Sequence, residues 1–183
     1  MGKIHAGATL TPSFRDFLPA WVARQPWYEG SGVLRPVGFF RFEDPAGQVG
    51  VETHLLQDGG AVWQVPLTYR PAPLDPGALV TTAEHSVLGA RWIYDAETDP
   101  VWSAAILDLV ATGGVSDSAA RTGFGLAQAR GALIRPMTGP VTIDLDRRVV
   151  PDGLPQDALG VVTGSWQDGA GRFAVIRQTG PKT

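Results

Sequence analysis

Apolar positions recur at helical spacing in two stretches of this 183-residue chain and alternate over most of the remainder. Phe14, Phe17, Leu18, Trp21 and Val22 fall at i, i+3, i+4, i+7 and i+8, one apolar stripe on one helix face. Thr11-Pro12 ahead of the stripe offers an N-cap and a proline at the first helical position, and Pro26 sets a stop. A second stripe, Trp102, Ala105, Ile106, Leu109 and Val110, follows Asp99-Pro100 and ends at Gly113-Gly114. Two helices are expected.

The alternating stretches read as strands. Val37 to Glu43 runs into Asp44-Pro45-Ala46-Gly47, a turn with proline second and glycine fourth. Val49 to Leu56 alternates, and Asp58-Gly59-Gly60 turns the chain into Ala61 to Arg70. A three-residue loop at 58–60 pairs Leu55 with Trp63 and Val51 with Leu67, and the proline turn pairs Phe42 with Val49. That register gathers the apolar side chains on one face and leaves Arg41, Glu43, Gln48, Glu52, His54, Gln64 and Thr68 on the other. The first helix is expected to cover the apolar face. Pro66 suits an edge or a bulge.

Further strands are expected at Thr81–His85, Arg91–Tyr94, Phe124–Ile134, Val141–Val149, Leu159–Trp166 and Arg172–Gln178, with a hairpin loop at 167–171. The class is α+β, an antiparallel sheet with two helices and additional C-terminal antiparallel strands. Three segments follow: 1–112, a small and polar linker at 113–123, and a C-terminal β extension at 124–183 packed on the same unit. The expected core is Phe14, Phe17, Trp21, Phe40, Phe42, Val51, Leu55, Trp63, Leu67, Trp102, Ile106 and Leu109.

Composition narrows the function. There is no cysteine, which removes disulfides, thiolate metal sites and cysteine nucleophiles. Lysine occurs only at Lys3 and Lys182 and asparagine nowhere, so the chain lacks the interior lysine and the asparagine that ordinary phosphotransferases use. A formal charge of −3 offers no footprint for nucleic acid. The start, Met1-Gly2-Lys3-Ile4-His5, lacks the apolar run of a signal peptide, and no stretch approaches ~18 apolar residues, so a cytoplasmic protein away from membranes is expected.

Few residues point to chemistry. Glu52 and His54 on one strand face form an acid–base pair by type, yet a solvated strand face accounts for them as well. Glu84-His85-Ser86 carries triad residue types without a nucleophile elbow, and neighbours on a strand face opposite ways. Asp144 and Asp146 project from one face, but Arg147 and Arg148 follow at once. Gly123-Phe124-Gly125 lacks the third glycine of a dinucleotide fingerprint. No catalytic residue, metal site or cofactor is assigned. Trp27-Tyr28 follows the first helix, where an aromatic pair beside polar groups suits a partner or a carbohydrate.

Three separated motifs carry a resemblance. Gln25-Pro26-Trp27-Tyr28-Glu29-Gly30-Ser31-Gly32, then Gln64-Val65-Pro66-Leu67-Thr68-Tyr69-Arg70, then Tyr94-Asp95-Ala96 ahead of Asp99-Pro100 keep the order and spacing of the N-terminal cap domain of maltokinases and related aminosugar kinases. The chain resembles that family over roughly residues 3–112, and Thr82–Asp95 looks like a variant of small stand-alone actinobacterial cap-like proteins. The resemblance implies a cystatin-like curved antiparallel sheet with an N-terminal helix. It also implies a setting in trehalose, maltose or α-glucan metabolism. Ser31 stands where the family motif has lysine, and the kinase lobe that holds nucleotide and catalytic groups has no counterpart in the sequence. No catalytic residue carries over.

Three functions compete. One is a non-catalytic module that docks on a kinase or an α-glucan enzyme, or on itself as a homodimer. A second is a binding protein for a sugar or sugar phosphate, with Arg41, Glu52, His54, Gln64, Arg91 and Asp95 supplying the polar groups of a pocket in a curled sheet, whereas the Trp27/Tyr28 surface or a sheet edge would serve the docking module. The third, a hydrolase or isomerase, needs Glu52/His54 or Asp144/Asp146 to converge in a cleft.

Overall fold

The computed structural model describes residues 7–118 and 126–179. Its elements are β1 (Leu10–Thr11), α1 (Phe14–Val22), β2 (Arg35–Phe42), β3 (Gly50–Asp58), β4 (Ala61–Arg70), β5 (Leu79–His85), β6 (Gly89–Asp95), α2 (Pro100–Thr112), β7 (Asp117–Ser118), β8 (Ala127–Leu133), β9 (Val141–Val150), β10 (Gly160–Trp166) and β11 (Gly169–Gln178). The class is α+β: a mostly antiparallel sheet with two α-helices.

Both helices bury the stripes expected of them, but α1 starts later. Its N-cap is Ser13, which makes a capping box with Asp16, because Leu10–Thr11 is already paired with β5. Phe14 and Phe17 are only half-buried, whereas Leu18 and Val22 are fully enclosed. α2 follows its signals closely. Asp99 caps it by accepting from the Val101 N–H at 2.9 Å, Pro100 opens it, and Gly113 closes it at φ +63°, where a Cβ would be strained.

The β3–β4 hairpin is the centre of the sheet. Its turn has two residues rather than three: Asp58 pairs with Ala61, and Leu55 faces Gln64 instead of Trp63. The expected sorting into an apolar and a polar face therefore does not occur. Val51, Leu55, Thr68 and Gln64 share one face, while Glu52, His54, Trp63, Val65 and Leu67 share the other, and all nine are buried. The reason is that both faces are covered. α1 packs on the second with Leu56, Ala83 and Ile93, and α2 and the C-terminal strands pack on the first. Phe42 pairs with Val51 and Phe40 with Thr53, a two-residue shift that keeps the faces unchanged.

The sheet forks at β4. Beyond β3, its C-terminal end pairs with β6 from Leu67 to Arg70, and its N-terminal end meets β9 through Trp63 and Arg148. Pro66 falls between the two ladders, where a missing N–H removes no hydrogen bond on that edge. From β9 the sheet continues through β11 and β10 to β8. The turn joining β10 and β11 is Gln167–Asp168 alone, since Trp166 already pairs with Gly169.

The described part of 113–123 is hydrogen-bonded on both sides. Ser116 N–H donates to Ala129 O (2.8 Å) and Gly131 N–H to Gly114 O (3.1 Å), while Asp117–Ser118 pairs with β2. With the Phe39–Leu126 bridge, these bonds bring β8 back to β2 and curl the sheet around one core. Phe40, Phe42, Val51, Leu55, Trp102, Ile106, Leu109, Phe173 and Ile176 fill it. Gly131 and Gly160 let α2 lie directly on β8 and β10, because a Cβ at either would strike Leu109 or Val110. His5 and Gly123-Phe124-Gly125 lie outside the described residues.

Candidate functional site

The polar residues singled out in the sequence do not form one cleft. Arg41, Glu52 and His54 do meet. Residues 52 and 54 are two apart on β3 and so share a face, and Arg41 is the cross-strand neighbour of Glu52. The Arg41 Nε lies 3.0 Å from Glu52 Oε1, His54 Nε2 is 3.6 Å from Glu52 Oε2, and His54 Nε2 is 3.3 Å from the Tyr69 hydroxyl. Glu52 and His54 are 4% and 2% exposed, and the Phe14 ring of α1 stands 4.4 Å from the imidazole. An acid–base pair by residue type is thus enclosed beneath the helix.

Gln64 is also enclosed. Its side-chain amide donates to the carbonyls of Asp146 (2.7 Å) and Phe173 (2.6 Å), fastening β4 to β9 and β11. Asp95 holds Arg147 through both carboxylate oxygens at 2.6 Å, and Glu97 takes the Arg147 Nε at 2.9 Å. The same guanidinium stacks 4.7 Å from the centre of the Trp27 ring. Arg91, on the β5–β6 ribbon, donates to its neighbour's carbonyl, Ala90 O. Asp146 and Asp144 are occupied by Arg172 and Arg177.

Trp27 and Tyr28 are half-buried at the rim of the α1 core. Trp27 lies 6.0 Å from Trp21 and 6.1 Å from Trp63, and Tyr28 packs edge-on to Trp63 at 5.0 Å. The Tyr28 hydroxyl donates to Asp58. Partial burial and that bond raise the tyrosine pKa; bonds from Ser31 first, then Tyr28, hold the Asp58 carboxyl below the usual range.

Sequence reading named Asp99 only as the start of α2 and Arg147 only as a charge beside Asp146, and missed the buried pairs they form. Asp99 is buried and accepts from Arg70 Nε (2.6 Å), Arg70 Nη2 (2.7 Å) and Thr68 Oγ1 (2.7 Å) besides capping α2. Burial pushes its pKa up, but the bonds from Arg70, Thr68 and the Val101 N–H outweigh that and hold it low. The chain marks Asp99 locally as the cap of α2, but no local signal marks its bonds to Arg70 or those of Arg147 to Asp95, because these partners are tens of positions apart.

Among the described residues no group of three or more His, Asp or Glu side chains is arranged to hold a metal ion. No helix there is long and apolar enough to cross a membrane. Two shallow grooves are present. One of about 300 Å³ runs between β2 and α2 beside Asp108, Thr112 and Ser116; the other, of about 270 Å³, lies between Trp102 and Ser103 of α2 and Val141–Ile143 of β9. Neither takes in Glu52, His54 or the Trp27–Tyr28 pair.

No curated protein matches this sequence. Residues 21–99 match the family model of the maltokinase N-terminal cap domain, from Trp21 of α1 to the N-cap of α2. The matched stretch holds the first two motifs, the third up to Asp99, and the β2–β6 part of the sheet with Trp27, Tyr28 and the Arg41–Glu52–His54 cluster. Over these residues the chain is similar to the maltokinase N-terminal cap domain family.

Proposed function

We propose that the protein is a non-catalytic interaction module of cystatin-like build that works beside a kinase or an α-glucan enzyme in trehalose, maltose or aminosugar metabolism in the cytoplasm. The observation that carries this reading is the cap-domain match over 21–99 in a chain whose matched polar groups bind one another or the C-terminal strands. A cap domain is the accessory part of a maltokinase, and catalysis needs groups that converge where a substrate can reach them. The half-buried Trp27 and Tyr28 are the docking surface favoured here, since aromatic side chains with one wet edge are over-represented at interfaces.

The test is a mixing experiment. The purified chain is combined with sugar kinases and α-glucan enzymes from its own organism and run through size exclusion with light scattering. A stoichiometric complex, lost on Trp27→Ala, is the expected outcome. A monomer with each of them overturns the reading. A thermal-shift series with maltose, trehalose, glucosamine, their phosphates and ATP with magnesium covers the sugar-binding alternative. A ligand at ~100 times its dissociation constant adds about 2.7 kcal/mol, a visible shift.

A further inference from the structure

We propose that residues 29–33 form a latch closed by a single carboxylate, that of Asp58, and that opening it uncovers the aromatic surface around Trp63. Glu29, Gly30, Ser31, Gly32 and Val33 are all exposed, Val33 at 68%, so no burial holds them down. Their fastening is polar. Asp58, the last residue of β3, accepts from the Tyr28 hydroxyl, the Ser31 N–H, the Ser31 hydroxyl (2.6 Å) and the Gly32 N–H (3.2 Å). Gly32 N–H also donates to the Tyr28 oxygen at 2.8 Å, and Val33 N–H to the Ser31 hydroxyl at 3.4 Å. Among the described residues the bonds to Asp58 and Tyr28 are the hydrogen bonds that attach the loop to the rest of the protein, the Val33–Ser31 bond lying within it.

The loop is shaped for that carboxylate. A Cβ at Gly30 would collide with both Asp58 Oδ2 and the Tyr28 hydroxyl, so a residue with a side chain there would have to displace the groups that close the latch. Beneath it, Trp63 is 2% exposed and covered by the Tyr28 ring, with Trp27 alongside. Releasing Asp58 frees the Tyr28 hydroxyl together with the loop, so one local event loosens the lid and its hinge. The groups that face Asp58 are Tyr28, Ser31 and Gly32, and none brings a positive charge. Their hydrogen bonds favour the ionised carboxylate, so the latch is closed at neutral pH and weakens as pH falls below about 4, the ordinary aspartate value. This inference does not rest on the docking reading, since the opening is measured with no partner present.

The experiment is backbone amide exchange on the full chain, comparing wild type with Asp58→Ala and Tyr28→Phe. Asp58→Ala is expected to speed exchange at Ser31–Val33 at least tenfold while β3 and β4 amides stay unchanged. Tyr28→Phe, which keeps the ring on Trp63, is expected to give a smaller acceleration at the same residues. Equal exchange in wild type and Asp58→Ala overturns the latch. So does acceleration spread through β3 and β4, which makes Asp58 a support of the hairpin instead. A tryptophan fluorescence step on acidification that is present in wild type and missing in Asp58→Asn supports the acid sensitivity; the same step in both overturns it.

Discussion

The matched segment and the C-terminal strands treat polar residues in opposite ways. In the first, Glu52, Thr53, His54, Gln64, Thr68, Asp95 and Asp99 are all buried on or beside the β2–β4 sheet. In β8–β11, apart from the buried Arg147 that reaches back to Asp95, the charged side chains stay nearer the surface: Arg177 pairs with Asp144 and Asp157, and Arg172 with Asp146. The difference is how many faces of the sheet are covered. A sheet enclosed on both sides buries whatever its pleat presents and must satisfy each polar group inside, whereas a sheet with one open face can leave its charges in water.

This contrast can be broken at graded cost. Trp102→Ala, which empties the core between the two halves, is expected to lose about 3–5 kcal/mol in urea unfolding. Next comes Gln64→Leu. It fills the same space but leaves the Asp146 and Phe173 carbonyls without their donor, a loss of about 1–3 kcal/mol. Wild-type stability in that variant would mean that the halves are not fastened there.

Acid sharpens the comparison further. The folded state holds the Asp99 pKa below its unfolded value near 3.9, so the stability it contributes is complete above that value and fades as pH falls below about 4. Urea midpoints are expected to be level for this group between pH 7 and 5 and to drop below 4, with a shallower drop in Asp99→Asn. The smallest effect belongs to the open face: Arg177→Ala is expected to cost less than about 1 kcal/mol and to matter less still in high salt. A loss as large as that of Gln64→Leu would remove the distinction between the halves.

Much of the fold was legible because its signals are local. Asp99-Pro100 and Gly113 mark α2 at both ends, and the α1 stripe meets the sheet as spaced. β8, with Ala127, Ala129 and Gly131 turned inward, falls inside the stretch expected as a strand. The candidate site was legible only as residue types. Glu52 and His54 share a face with Arg41 as their spacing requires, but their enclosure under Phe14 depends on where α1 lands.

By itself, then, the sequence determined both ends of α2, most of the strand segments and the face each strand residue shares with its second neighbour, because caps, turns and a two-residue period act over a few positions. Tertiary structure alone decided the rest. It set the two-residue turn at Gly59–Gly60, since a sheet buried on both sides gains nothing from sorting its apolar residues onto one. It placed Pro66 at the fork. And it joined Gln64 to Phe173 and Arg147 to Asp95, partners 109 and 52 positions apart, where only packing brings donor and acceptor together.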